Sequence, residues 1–419
     1  MVTGVARITA AALVVGGCGG GADLRVAEPV TVASGGASNP TVAVGADGAY
    51  YVAWVGTANG ESNVWLARSA DGRTFPLPVR VNDIAGDAAP HEQAPAQVAA
   101  GPHGIVYVAW QNNRRVADRR FPYSDLRLAR SSDGGQSFEP AITVNDDAAG
   151  PPSSHTFHDI AVGDDGTVVV SWIDARERTR LEGAGAPAGM STHGEAGLGN
   201  GPADPLPGPE IRIARSADSG RSFEPSQVVA AEACPCCRTS LDVAPDGTIA
   251  VSWRAVTEDN IRDVVVARGT AAGFGQPVRV HDDGWRIDGC PHAGAGLALD
   301  AAGRTHVAWY TGAAERQGLF YAMSEGDATF DSPHPLLTGG WVPVSQVKLA
   351  ATSDGVVLAW DDRRAEPPMI RIAAARDGST PRTIARTLTG SSPAVAAAGD
   401  RVAIAWLDGE TVRFTTVTR

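Results

Sequence analysis

Four of the chain's five cysteines fall in two short segments, Cys234-Pro235-Cys236-Cys237-Arg238 and Cys290-Pro291-His292. Thiolates and imidazoles are ligands that copper(I) and zinc accept and that magnesium and calcium do not favour. Three chemistries are open to these residues. With Cys18 set aside, the remaining four thiols are an even number. In an oxidising compartment they can pair, either as a vicinal Cys236–Cys237 link or as a bridge to Cys290. They can instead hold copper or zinc, although Cys-x-Cys-Cys is no standard zinc spacing. Or two of them can act as a redox dithiol, with Pro235 tuning its geometry.

A second set of residues is charged and aromatic. Arg114 and Arg115 follow Trp110; Asp174, Arg176 and Arg178 follow Trp172; Arg254 follows Trp253; Asp361, Asp362, Arg363 and Arg364 follow Trp360. Arginines fork onto carboxylates, and paired acids serve glycoside hydrolysis. Tyr310 follows Trp309, and Trp285 and Trp341 lie in connecting segments where an exposed ring can stack on a sugar. Asp beside Arg is equally what a structural salt bridge needs.

The elements that must position these groups are read from an internal repeat. An aliphatic residue, then Ala or Ser, then Trp recurs at Trp54, Trp110, Trp172, Trp253, Trp309, Trp360 and Trp406, at intervals of 46 to 81 residues. Before each Trp a short apolar strand, such as Thr41–Val44, leads into a tight turn. Four of these turns are Asp-Gly: Asp47-Gly48, Asp165-Gly166, Asp246-Gly247 and Asp354-Gly355. Gly accepts positive φ there at no steric cost. A third strand follows the Trp strand, as in Val64–Arg68, and then a turn leads to a fourth, reading Ser-x-Asp-Gly-x-Thr-Phe in the first copy and Ser-x-Asp-x-Gly-x-Ser-Phe in the next two. Its copies are Ser69 to Phe75, Ser131 to Phe138 and Ser216 to Phe223, with remnants at Ser324 to Phe330 and Arg376 to Gly378. The seventh copy has three strands, and Glu28–Val32, similar to Glu139–Val144, supplies the fourth from the N-terminus. This predicts an all-β chain: a β-propeller of four-stranded blades, seven by this count with six as the alternative, closed by an N-terminal strand in the last blade.

The phase of the repeat aligns the chain with itself. His91, Cys234 and Cys290 stand twelve residues before equivalent hairpin turns, and His155, Cys236 and His292 stand ten before, with Cys237 and His158 slightly closer. The Cys and His residues are therefore expected together at the channel mouth, opposite the face that carries the Ser-x-Asp turns. The segment 181–209, after Trp172, is rich in Gly, Ala and Pro, contains His193, and is expected to be a disordered insertion.

These turns resemble the Asp boxes of the sialidase superfamily, also called BNR repeats, and the Cys-rich connections resemble a divergent lipoprotein subgroup of it. The resemblance implies cleavage of terminal sialic acid, with an arginine trio gripping the sugar carboxylate (Arg176, Arg254 and Arg363), Asp174 as acid/base and Tyr310 as nucleophile. Trp285 and Trp341 would add substrate contacts. This chain departs from the family in lacking its opening Arg-Ile-Pro segment and a Glu placed to partner Tyr310. Its seven repeats also exceed the six blades of those enzymes.

The N-terminus resembles a bacterial lipoprotein leader. Arg7 precedes a short apolar run, Ile8 to Val15, then Val15-Gly16-Gly17-Cys18 and a Gly tract. Residues 1–17 are expected as signal peptide, Cys18 as the lipidated residue, 18–25 as a tether and 26–419 as one propeller domain. The formal net charge of −12 argues against nucleic acid. The expectation is thus an exported, monomeric propeller in the bacterial cell envelope, periplasmic or on the outer-membrane surface, tied to the membrane through Cys18. It would be a glycan-binding or sialidase-type exo-glycosidase protein. The alternatives are a copper, zinc or thiol-redox protein using the Cys/His cluster, and a non-catalytic interaction scaffold.

Overall fold

The computed structural model describes residues 24–117, 122–183, 207–257, 259–326, 329–339, 347–376, 378–384, 386 and 388–418. The leader, Cys18, His193 and Trp341 lie outside the described residues.

Each Trp marks the second strand of an antiparallel blade. In blade 2, for example, the order is Gln97–Ala100, Val106–Gln111, Leu126–Ser131 and Ile142–Thr143. The second strands read as nearly continuous apolar runs, and Val106–Gln111 is buried throughout. Sheets covered on both faces require that pattern. The seven Trp rings are all buried. Four indoles donate a hydrogen bond: Trp110 to Asp87 O at 2.5 Å, Trp172 to Asp174 Oδ2 at 2.7 Å, Trp309 to Asp283 Oδ2 at 2.7 Å and Trp406 to Thr389 O at 2.9 Å.

The described strands form seven such sheets, so the ring has seven blades and not six. The innermost strands pack on one another in sequence around the ring: Ala37–Val44, Gln97–Ala100, His155–Val162, Ser240–Val243, Gly296–Leu299, Val347–Thr352 and Ser391–Ala398, which returns to the first. Closure is as expected. Val30–Ser34 and Arg25–Val26 both pair with the last strand, Thr411–Thr418, in the register Val30 to Phe414 and Arg25 to Thr418.

The Ser-x-Asp turns behave as Asp boxes. Asp133 Oδ1 accepts hydrogen bonds from the Gln136 and Ser137 amides and the Ser131 hydroxyl at 2.7–3.0 Å. Asp71 and Asp218 do the same in their turns. The backbone and hydroxyl donors around Asp71 hold its carboxyl at about 2. The Asp-Gly hairpins are less uniform. Gly48, Gly166 and Gly247 have φ of 82–84°, but Gly355 starts the strand Gly355–Asp362, paired directly with Thr352. After Asp174 the chain forms a helix, Arg176–Gly183, so the first residues of the expected disordered insertion are ordered. Residues 184–206 lie outside the described residues.

Candidate metal centre

Two connections build the site. One runs from blade 3 into Ser240–Val243, the innermost strand of blade 4, and carries Cys234, Cys236 and Cys237. The other runs from blade 4 into Gly296–Leu299 of blade 5 and carries Cys290 and His292. The first is fixed at both ends: the Cys234 amide donates to Arg254 O at 2.8 Å, and the Thr239 amide donates to Phe157 O at 3.0 Å. The second touches the first at Gly294. A Cβ there would stand 2.5 Å from Arg238 O and 2.6 Å from its Cγ, so only glycine permits this approach.

Arg254 joins the two. Its guanidinium donates to Ala293 O at 3.2 and 2.9 Å, to Tyr310 O at 2.8 Å and to Arg262 O at 2.5 Å. It is 1% exposed. A buried guanidinium saturated with carbonyl acceptors is a structural clamp.

The clamp brings together five soft donor atoms. Cys234 Sγ lies 3.7 Å from Cys236 Sγ and 3.3 Å from Cys237 Sγ. Among the described residues the four cysteines stand as free thiols with no disulfide between them. Cys234, Cys236 and Cys237 form one mutually close trio; Cys236, Cys290 and His292 form a second, with donor atoms within 4.8 Å of one another in each. A zinc ion at about 2.3 Å from its thiolates sets sulfurs about 3.8 Å apart, a spacing the 3.7 Å pair matches and the 3.3 Å pair falls short of. The first trio is buried in an apolar cluster with Phe157, Trp253 and Val251. Cys290 is half-buried, and His292 is exposed and held at φ 49°.

The electrostatics favour thiolate at the cluster's edges. Close contact with the Cys236 and Cys237 thiols, aided by the Arg262 charge, holds Cys234 well below the usual thiol range against the effect of burial. Arg262 Nη1 lies 3.5 Å from Cys234 Sγ. Contact with Cys236 lowers Cys290 likewise, and Arg262 adds to it. Cys236 and Cys237 are pushed up, Cys236 by its neighbouring thiols and Cys237 chiefly by burial. A cationic Arg beside a partly ionised thiol cluster is the environment that makes cysteines reactive or metal-binding.

The other expected histidines do not join. His155 hydrogen-bonds Ser124 O at 2.7 Å and Asp147 Oδ2 at 3.1 Å. Burial opposes its charge, but the Asp147 and Asp174 carboxylates outweigh that and raise it. His158 Nε2 meets Ala109 O at 3.1 Å, and complete burial lowers it to about 4. His91 packs edge-on against Phe157, one layer from the thiols. His155 and His158 flank a bulge, a register shift between Thr156 and Asp159 with Phe157 at φ 57°.

The residues aligned with a sialidase site are separated and internally partnered. Asp174 is buried and accepts from the Trp172 indole and from Arg176 N, Nε and Nη2 at 2.7–3.0 Å. Arg176 also reaches Asp146 at 2.6 Å. Arg363 pairs with Asp361 at 2.7 Å and with Glu92. Tyr310 is buried, edge-on to Trp285 at 5.4 Å, and Trp285 is itself 6% exposed beneath the Arg254 guanidinium.

Three contributors were not expected. Arg262 carries no motif that spacing could reveal, and Trp253 was read only as a strand marker of the repeat. Lys348, the only lysine in the sequence, lies on the innermost strand of blade 6, 3.8 Å from Asp159 Oδ2. Burial and the Arg238 charge lower it to about 8.

No protein-family profile matches the chain, and no curated protein matches it in sequence. Solved structures match in fold. A polysaccharide lyase of the PL25 type, an ulvan lyase bound to a glucuronate–rhamnose-3-sulfate unit, is 12% identical over 92% of this chain and 95% of its own, with a TM-score of 0.56. A protein of unknown function from Dyadobacter fermentans is 14% identical over 95% and 99%, at 0.54. The polysaccharide lyase Uly1 is 10% identical over 93% and 91%, at 0.53. At such identities the likeness is one of fold. By fold, the chain is a β-propeller with seven blades, similar in architecture to these lyases.

Proposed function

We infer that this chain is an exported, lipid-anchored propeller that binds copper(I) through cysteine thiolates at the junction of blades 3, 4 and 5. The observation that carries the reading is the arrangement of free thiols: three sulfurs in mutual contact, buried beside a guanidinium. No four of the described donors form one mutually close set, whereas structural zinc takes four ligands. Three-coordinate thiolate is what soft copper(I) accepts. In an oxidising compartment, burial of Cys234, Cys236 and Cys237 behind Trp253 and Phe157 shields the reduced thiols. The export and lipid anchor rest on Arg7, the apolar run and Cys18.

Anaerobic titration with copper(I) tests the reading. A thiolate-to-metal absorption band and quenching of Trp253, in contact with the cluster, are expected, and both should be lost when Cys234 and Cys237 are replaced by Ser. No binding above that of the double variant would overturn it.

A second reading is favoured by one observation: the matching structures include lyases that act on polysaccharide. In it, the same face takes a glycan, as a sialidase-type exo-glycosidase or a binding protein. Turnover of a fluorogenic sialoside, abolished by Asp174→Ala in a chain that remains folded, would support it. No turnover, with no binding of acidic oligosaccharides, would remove it.

A further inference from the structure

The two trios share one atom. Cys236 Sγ belongs both to the buried set with Cys234 and Cys237 and to the outer set with Cys290 and His292. The five donors do not collapse into one shell, so a single ion cannot use them all without rearrangement. We propose that the site holds two copper(I) ions bridged by the Cys236 thiolate, the inner ion completed by Cys234 and Cys237 and the outer ion by Cys290 and His292. This rests on the copper reading above and adds the second ion and the bridge.

Three features support a pair. A thiolate sulfur has enough lone pairs to bind two soft ions, whereas a thiol bonded once has no such role. Among the described residues, Cys236 is the one shared by both trios, and Gly294 lets the two connections approach. Arg262 places a cation at the cluster, its Nη1 3.5 Å from Cys234 Sγ. Binding displaces the thiol protons to solvent, and the two copper(I) charges with the Arg254 and Arg262 guanidinium groups, which flank the cluster, balance four thiolates.

The two positions differ in access. The inner trio is buried, while Cys290 is half-buried and His292 exposed. His292 holds a left-handed backbone conformation, φ 49°, which histidine adopts more readily than most residues. The outer ion is therefore the exchangeable one, and the inner ion is retained.

The test is copper(I) stoichiometry, measured anaerobically by competition with a chromophoric chelator on a Cys18→Ser chain, so that only the four thiols count. Two ions per chain are expected, with one released at lower chelator concentration. His292→Asn keeps the left-handed backbone and should bind one ion, the tightly held one. Cys237→Ser should also bind one. X-ray absorption of the doubly loaded protein should show copper–copper scattering that Cys236→Ser abolishes. One ion in the unaltered chain, or two in His292→Asn, overturns the bridged pair and leaves the copper reading standing. No ion at all overturns both. Thermal melts of each variant, with circular dichroism of the unaltered chain as reference, separate loss of a ligand from loss of the fold.

Discussion

Replacing Asp174 with Ala should cost stability on the scale of a broken buried ion pair. The carboxylate is fully enclosed and accepts four hydrogen bonds, from the Trp172 indole and from three nitrogens of Arg176. Bonds to charged groups contribute about 1.5–3 kcal/mol each in net terms. Their sum overstates the loss, because Arg176 keeps Asp146 at 2.6 Å and Asp147 at 3.5 Å. Breaking a buried pair typically costs about 3–5 kcal/mol, and that is the magnitude expected here. For a chain of this size it corresponds to a fall in Tm of roughly 4–6 °C. Asp174→Asn keeps one acceptor and the shape, so it should lose less than half as much. Urea unfolding followed by tryptophan emission reads both, as a lower midpoint at unchanged slope. A midpoint for Asp174→Ala within about 0.5 kcal/mol of the unaltered chain would refute the structural role. The carboxylate would then be free for acid/base work.

Two further outcomes follow from packing and charge. Lys348 has its ammonium lowered to about 8, against an unfolded value near 10.4. The native state therefore binds fewer protons than the unfolded chain between those values, and stability rises with pH across that window. Lys348→Met should remove this rise; denaturation curves for the two chains running parallel from pH 7 to 10 would contradict it. Gly294→Ala drives a methyl against the Arg238 carbonyl and side chain, so the two connections must separate. It should lower copper(I) affinity at least tenfold while shifting the urea midpoint by less than Asp174→Ala does; unchanged affinity would show that the contact does not hold the site.

The fold was legible because its signals are local and repeated. Seven Trp strands and three good Asp boxes in phase define blades, and the match of Glu28–Val32 to Glu139–Val144 anticipated closure. The same phase brought Cys234, Cys236, Cys290 and His292 to one place. It did not do so for His155 and His158, which flank a bulge at Phe157 of the kind also present at Asn39 in blade 1 and Ser392 in blade 7. The setting of the arginine and acid residues was not legible for a different reason: the second strand runs on past the Trp to Asp174, Arg254, Thr311 and Asp362. Those side chains therefore stand inside the sheet stack, where Asp beside Arg completes a buried pair. Burial of that kind is a property of the ring and is not written in any one blade.

The most direct measurement is the metal and thiol content of the protein purified without reductant or chelator. Elemental analysis should find copper in whole-number ratio to protein. Alkylation and mass spectrometry should find Cys234, Cys236, Cys237 and Cys290 reduced, reacting only after the metal is removed. No copper, with Cys236 and Cys237 joined to each other or to Cys290 as disulfides, would contradict the account.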